Sequence, residues 1–278
     1  MKKTCVIGYP ISHSRSPLIH NYWLRQHGLD GLYEKREVKP EDLRYFLENL
    51  SVEGYVGCNV TIPHKEAALA IVPHLDELVK RTGSLNTIYF EAETLHATST
   101  DGEGFYQNLT ANSPDIDLTE KTAIILGAGG SARAIVDRLL RAGIGEVKIL
   151  NRTRARAEEL ADIFGGKIIP IDADRFADES KVAALLINTT SLGLKGQPEL
   201  EIDLSQLPSH AIVADLVYVP LKTRFLERAE ARGLRTVGGL GMLLHQAVVG
   251  FEKWYGLKPQ VTDELYRLVA RDIDPDFK

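Results

Sequence analysis

Short apolar runs and amphipathic runs alternate along the first hundred residues. "TCVIG" reads as a strand, and "SPLIHNYWLRQHG" has helical spacing, with Pro17 in its first turn and Gly28 past its end. "YEKREV" alternates as a half-buried strand does, "PEDLRYFLENL" returns to the helical period, and "GYVGCNVTI" is again strand-like. "LNTIYFEAETLHATST" reads as a hairpin closing this region. Such alternation predicts α/β architecture with a largely parallel sheet.

A second α/β run follows the polar segment "TANSPDIDLTE". "KTAIILGAGG" is a buried strand ending in glycines, "SARAIVDRLLRAG" a helix closed by Gly143, "EVKIL" a strand and "RARAEELADIFGG" a helix. "VAALLINTT" and "AIVADLVY" are later buried strands. After "VGGLG" come only helices, "MLLHQAVVGFEKWYG" and "TDELYRLVARDI". With no strand left to follow them, they are expected to pack back on the first domain. The expected division is residues 1–102 plus 240–278 as one domain and 103–239 as the other.

Composition narrows the function classes. The chain has 278 residues, 44% of them hydrophobic, enough for two medium domains with real cores. A net charge of −5 gives no general attraction to nucleic acid or to an anionic membrane. No stretch approaches the roughly 18 apolar residues of a membrane helix, and "MKKTCVIGYPISHS" lacks the apolar run of about 7–15 residues of a signal peptide. Cys5 and Cys58 lie in strand-like runs and read as buried free thiols in a reducing cytoplasm. The histidines are scattered without Cys/His spacing for zinc, so no metal is expected. Oligomeric state, monomer or homodimer, leaves no signature.

Against that acidic background, "NRTRARAEEL" concentrates arginines where a strand meets a helix. A helix N-terminus carries partial positive charge and favours acids, so the cluster needs a local reason. It stands about 20 residues after "GAGGSA", a G-x-G-x-x-A turn between a strand and a helix. Gly127 allows the tight turn, Gly129 the close approach of a pyrophosphate, and Ala132 tight helix–strand packing. Ala128, Gly130 and Ser131 complete the loop, and the free N–H groups of the helix bind phosphate. Together these features predict a Rossmann-like, doubly wound dinucleotide-binding domain. An NAD site would place Asp or Glu after the second strand; this chain has Asn151, Arg152, Thr153 and, one turn on, Arg156. A 2′-phosphate would neutralise the arginines and accept their forked hydrogen bonds, so the expected cofactor is NADP. Arg154 is left out of that set, since neighbouring helix positions point apart.

The first domain holds polar clusters that secondary structure does not require. "SHSRSP" puts Ser14 and Ser16 in the loop entering a helix, although a serine there also serves as an N-cap, and for Ser16 the two readings stand even. "NVTIPHK" puts Asn59, Thr61 and Lys65 past a strand, and "LNT" and "STDGEG" add Asn86 and Asp101. Hydroxyls, amides and one Lys–carboxylate pair suit a small polyhydroxylated ligand.

Seven motifs in order, "SHSRSP", "NVTIPHK", "GSLNTI", "STDGEGF", "GAGGSARA", "NRTRARAEEL" and "GLGMLLHQA", span the chain and resemble the shikimate dehydrogenase family. The resemblance implies an N-terminal substrate domain and NADPH-dependent reduction of 3-dehydroshikimate in aromatic amino-acid biosynthesis. By motif position Lys65 and Asp101 match the catalytic pair. Ser14, Ser16, Asn59, Thr61, Asn86, Tyr218 and Gln246 match substrate contacts, and Gly239 and Met242 match cofactor contacts. Two positions depart from the pattern: His64 stands where Phe is usual, and Gly238 where Asp is common. His64 is expected in a supporting or exposed role beside Lys65.

The chemistry fits the pair. Ketone reduction needs a donor at the oxygen that gains charge, and a lysine ammonium supplies both charge and proton. A dual-specificity shikimate/quinate dehydrogenase remains open, because one or two hydroxyls near Ser14, Ser16 and Thr61 would decide it. The serine loop and the Lys65–Asp101 pair count against a methylene-tetrahydrofolate dehydrogenase. The same pair counts against a non-catalytic NADP(H)-responsive binding protein.

Overall fold

In the computed structural model, residues 1–277 are described. They fall into two units, Met1–Asp101 with Leu243–Val269, and Gly102–Met242 with the residues from Ala270 onward.

The first unit opens with β1 (Lys2–Gly8), α1 (Ser16–Gln26), β2 (Gly31–Glu37), α2 (Leu43–Glu48) and β3 (Tyr55–Val60). β4 (His74–Leu75), α3 (Glu77–Thr82), β5 (Thr87–Glu91) and β6 (Thr94–Thr98) follow. Its six-stranded sheet has the order β2-β1-β3-β5-β6-β4. β1 pairs in parallel with β2 and β3, whereas β5 runs antiparallel to β3 and to β6. The sheet is therefore mixed, because the predicted hairpin reverses direction through Ala92 and Glu93, both at positive φ. Alternate residues bury on opposite faces: Cys5, Ile7, Cys58, Val60 and Ile88 on one, Val6, Tyr33 and Tyr89 on the other. Cys5 and Cys58 are free, buried and in register across β1 and β3.

In chain order α4 (Asp101–Asn112) follows the strands of the first sheet. Sequence patterning gave no helix here, since Gly102 and Gly104 weaken its propensity. Packing explains Gly102: a Cβ there would lie 2.3 Å from the carbonyl oxygen of Ala134.

The second unit continues β7 (Thr122–Leu126), α5 (Gly130–Arg141), β8 (Glu146–Leu150), α6 (Arg154–Phe164) and β9 (Ile168–Ile171). Then come α7 (Phe176–Ser180), β10 (Ala183–Asn188), β11 (Ile212–Asp215), α8 (Arg224–Ala231) and β12 (Arg235–Val237). All six strands are parallel, in the order β12-β11-β10-β7-β8-β9, which is the doubly wound dinucleotide-binding order. Ile125, Ile149 and Ile187 bury on one face and Ile124, Leu186 and Val213 on the other, so these strands read as continuous apolar runs. β9, α7 and β12 are too short to stand out by period, whereas α8 carries Phe225, Leu226 and Ala229 at helical spacing behind the capping Thr223 and is legible once sought.

Two helices end the chain, α9 (Gly239–Tyr255) and α10 (Asp263–Ile273). Trp254 of α9 joins the Val6–Tyr33–Tyr89 cluster and donates its indole N–H to the Ile88 carbonyl at 2.9 Å. No helix is long and apolar enough to cross a membrane, among the described residues.

Candidate functional site

Lys65 follows a turn after β3, and Asp101 is the first residue of α4. The Lys65 ammonium donates to Asp101 Oδ2, with the side chains 18% and 7% exposed. Asp101 is held from its other side, where Asn86 Nδ2 donates to Oδ1 at 2.7 Å. Asn86, in the loop before β5, is bonded at both ends of its amide: its Oδ1 accepts from the Thr100 backbone N–H at 2.9 Å and from Thr87 Oγ1 at 3.1 Å. Gln246 on α9 closes the ring, its Oε1 accepting from Thr100 Oγ1 at 3.1 Å and Asn86 Nδ2 at 3.3 Å. Four segments distant in sequence thus converge on one ion pair, and fixed amides leave it a single geometry.

Asn59 lies at the end of β3 and joins the same network, donating from Nδ2 to the Asn86 carbonyl and to Thr87 Oγ1, each at 3.0 Å. Thr61 follows it, with its backbone N–H bonded to the Ile7 carbonyl at 3.0 Å. Ser14 Oγ accepts from the Ser16 backbone N–H at 3.3 Å. Ser16 is the first residue of α1, with Arg15 at the N-cap position and no side-chain cap bond. The capping alternative for Ser16 therefore falls away; its hydroxyl is a polar neighbour of the buried Tyr33 phenol.

His64 is 1% exposed and donates from Nε2 to the Val38 carbonyl at 2.7 Å. It anchors the lysine-bearing turn from beneath, as a supporting residue. At Gly238 a Cβ would meet only ordinary contacts, so nothing in the structure demands glycine there.

In the second unit a cavity of about 660 Å³ opens at the carboxyl ends of β7, β8 and β10. Sequence order reverses between β7 and β10, the place where ligands bind in such sheets. Gly127 has φ +106°, and a Cβ would sit 2.6 Å from Thr189 Oγ1, so only glycine makes this turn. Around Gly129, at the N-cap of α5, there is open space, and no side chain caps that helix. Its free N–H groups are thus available to an anion. Ala128 and Ala132 are buried, Ala132 against the sheet, while Gly130 and Ser131 form the first turn of α5.

The three arginines separate cleanly. Arg154 donates to Glu158 at 2.9 Å and also to Asp172, so its charge is spent. Arg152 and Arg156 line the cavity with Asn151 and Thr153, and no carboxylate pairs with either among the described residues. Thr153 occupies the N-cap of α6 without making a cap bond, and Asn151 Nδ2 donates to its carbonyl at 2.8 Å. Two unneutralised guanidiniums at an uncapped helix start fit a dianionic phosphate, and hence NADP. Thr190, Ser191, Leu200, Glu201 and Ile202 also line the cavity and were not anticipated. For Thr190 and Ser191 a signal existed, since they follow a parallel strand.

Tyr218 is half-buried in the loop after β11, just before the cis Val219–Pro220 bond. Asp215 anchors that loop by accepting from Thr223 Oγ1 at 2.6 Å, Asn188 Nδ2 at 2.9 Å and the Val217 N–H at 3.0 Å. Burial still raises the Asp215 carboxyl above its ordinary range against the pull of these donors. A Cβ on Gly239 would lie 2.2 Å from the Leu216 carbonyl oxygen, which makes glycine obligatory there. Met242 is buried in the core of the second unit.

Comparison with known proteins agrees with this geometry. Residues 6–88 match the family model described as the shikimate dehydrogenase substrate binding domain, and residues 109–192 match that of shikimate / quinate 5-dehydrogenase. The NADP(+) shikimate dehydrogenase of Nitrobacter hamburgensis is 53% identical over 98% of this chain and 95% of its own. A Thermus thermophilus shikimate 5-dehydrogenase, solved with NADP(H) and shikimate, superposes with a TM-score of 0.87 at 36% identity, covering 98% of this chain and all of that one. A Corynebacterium glutamicum quinate dehydrogenase, solved with NAD, has a TM-score of 0.88 at 27% identity over 96% of this chain and 98% of its own.

Proposed function

Because the chain belongs to the shikimate dehydrogenase family, we infer that it catalyses the reversible, NADPH-dependent reduction of 3-dehydroshikimate to shikimate. The observation that carries the reading is the Lys65–Asp101 pair held by Asn86 inside a ring of polar side chains. Bound NADPH supplies the hydride. Lys65 is the proton donor in reduction and the acceptor in oxidation, and its ammonium stabilises charge developing on the carbonyl oxygen. Asp101 keeps that ammonium in place, and Asn86 keeps Asp101 in place. Ser14, Ser16, Asn59, Thr61, Asn86 and Gln246 contact the ring substituents. Arg152, Thr153 and Arg156 hold the 2′-phosphate, while the N-terminal amides of α5 hold the pyrophosphate. A cytoplasmic location belongs to the same reading, supported by the two free thiols.

The test is initial-rate oxidation of shikimate and of quinate, each with NADP and with NAD, on wild type and on Lys65→Ala. Shikimate with NADP is expected to give the highest kcat/KM. Lys65→Ala is expected to lose most of kcat with a smaller change in KM, the mark of an interaction made mainly in the transition state. Near-wild-type turnover by that variant would remove Lys65 from its role. Quinate is the natural second substrate to assay, because one matched family model carries both names. Rates with quinate equal to or above those with shikimate would make the chain a dual-specificity enzyme.

A further inference from the structure

Tyr33 lies on β2, the edge strand of its sheet, yet only 1% of it is exposed. Its backbone is clamped by one side chain, Asn21, which accepts from the Tyr33 N–H at 3.0 Å and donates to its carbonyl at 2.7 Å. Its ring lies flat on His20, with centroids 4.1 Å apart and planes 6° from parallel, and Trp254 packs at 5.9 Å. Backbone and ring are both fixed, so the phenol oxygen has one position.

That oxygen sits between two residues assigned above to substrate contact. Tyr33 Oη donates to Asn59 Oδ1 at 2.6 Å, and the Ser16 hydroxyl is a polar neighbour of the same phenol. Burial pushes the phenol well above its ordinary pKa, which keeps the donated proton in place. The two amide hydrogens of Asn59 are already committed, to the Asn86 carbonyl and to Thr87 Oγ1. Turning the amide over would set Oδ1 against the Asn86 carbonyl oxygen with no hydrogen between them, so its orientation is unique. What Asn59 retains for a ligand is the second lone pair of Oδ1, a site for a hydroxyl donor.

We propose that Tyr33 is a positioning residue for substrate recognition, acting through Asn59. The proposal rests on the assignment of Asn59 to substrate contact. It explains why an edge strand carries a fully buried tyrosine whose hydroxyl is bonded to Asn59.

The experiment is a double-mutant cycle with Tyr33→Phe and Asn59→Ala. Four quantities are read: the dissociation constant for shikimate without cofactor, the steady-state KM and kcat with saturating NADP, and the midpoint of thermal unfolding. Tyr33→Phe removes one hydrogen bond and is expected to weaken shikimate binding and raise its KM about three- to tenfold. Both kcat and the KM for NADP should stay within about twofold. In the Asn59→Ala background the same change should cost almost nothing, since its target is gone. An equal penalty in both backgrounds, or no penalty in either, would overturn the proposal. Because binding is measured without turnover, wild type that binds shikimate but does not oxidise it would overturn the assigned reaction and leave the test of Tyr33 in force. Wild type that does not bind shikimate would overturn both.

Discussion

Arg152 and Arg156 differ from Arg154 in what surrounds them. Glu158 and Asp172 neutralise Arg154, whereas no carboxylate pairs with the other two among the described residues, and Glu201, the acid in the cavity lining, pairs with Arg228 instead. Charge-assisted bonds to phosphate contribute about 1.5–3 kcal/mol each. Arg152→Ala with Arg156→Ala should therefore raise the KM for NADP by at least about tenfold and leave that for NAD nearly unchanged. Arg154→Ala should change neither by more than about twofold; steady-state kinetics with both cofactors checks all three. His20 offers a second test at this scale. It is fully buried, neither ring nitrogen has a partner, and burial lowers its pKa to about 3. With the folded pKa below the unfolded one, near 6.5, its stabilising contribution is present above pH 6.5 and is lost as pH falls toward 3. Between pH 7 and pH 5 this group alone should cost about 2 kcal/mol. Urea unfolding of wild type and His20→Phe at both pH values measures it as the difference between their pH slopes; parallel slopes would show that His20 does not stay neutral.

Among the elements, α4 shows how packing overrides propensity. An exposed Gly→Ala change in a helix stabilises by about 1 kcal/mol. At Gly102 the new methyl would meet the Ala134 carbonyl, which is backbone and cannot step aside, and overpacking costs about 1–3 kcal/mol. Gly102→Ala is therefore expected to lower the thermal midpoint by several degrees, and a rise would refute the close approach of α4 to α5. The same tension explains what the sequence discloses. β7, α5, β8 and α6 are legible because local pattern and tertiary role coincide: buried parallel strands are apolar throughout, and the glycine turn sits between them. α4 is not legible, since its glycines serve a neighbour rather than their own helix. At the site, Lys65, Asp101 and Asn86 stand inside recognisable motifs, while Tyr33 and Thr87 enter through contacts between distant strands that no spacing encodes.

Across the whole molecule the two candidate sites belong to separate units, which makes their ligand responses separable. NADP alone is expected to slow amide exchange at the starts of α5 and α6, and shikimate alone at residues 86–101, read by hydrogen exchange with mass analysis. Shikimate protection confined to residues 127–156 would contradict the placement of the substrate site. The segment Leu243–Val269 has a different consequence, one of timing. It belongs to the first unit, yet the ribosome makes it only after the whole of Gly102–Met242 has been made. At about 5–20 residues per second that interval is on the order of ten seconds. Throughout it Val6, Tyr33 and Tyr89 wait without the tryptophan that packs on them, while every strand of the second sheet is made in that one continuous stretch. The earliest-made sheet is thus the one whose core closes last, since it waits for a segment from the far end of the chain.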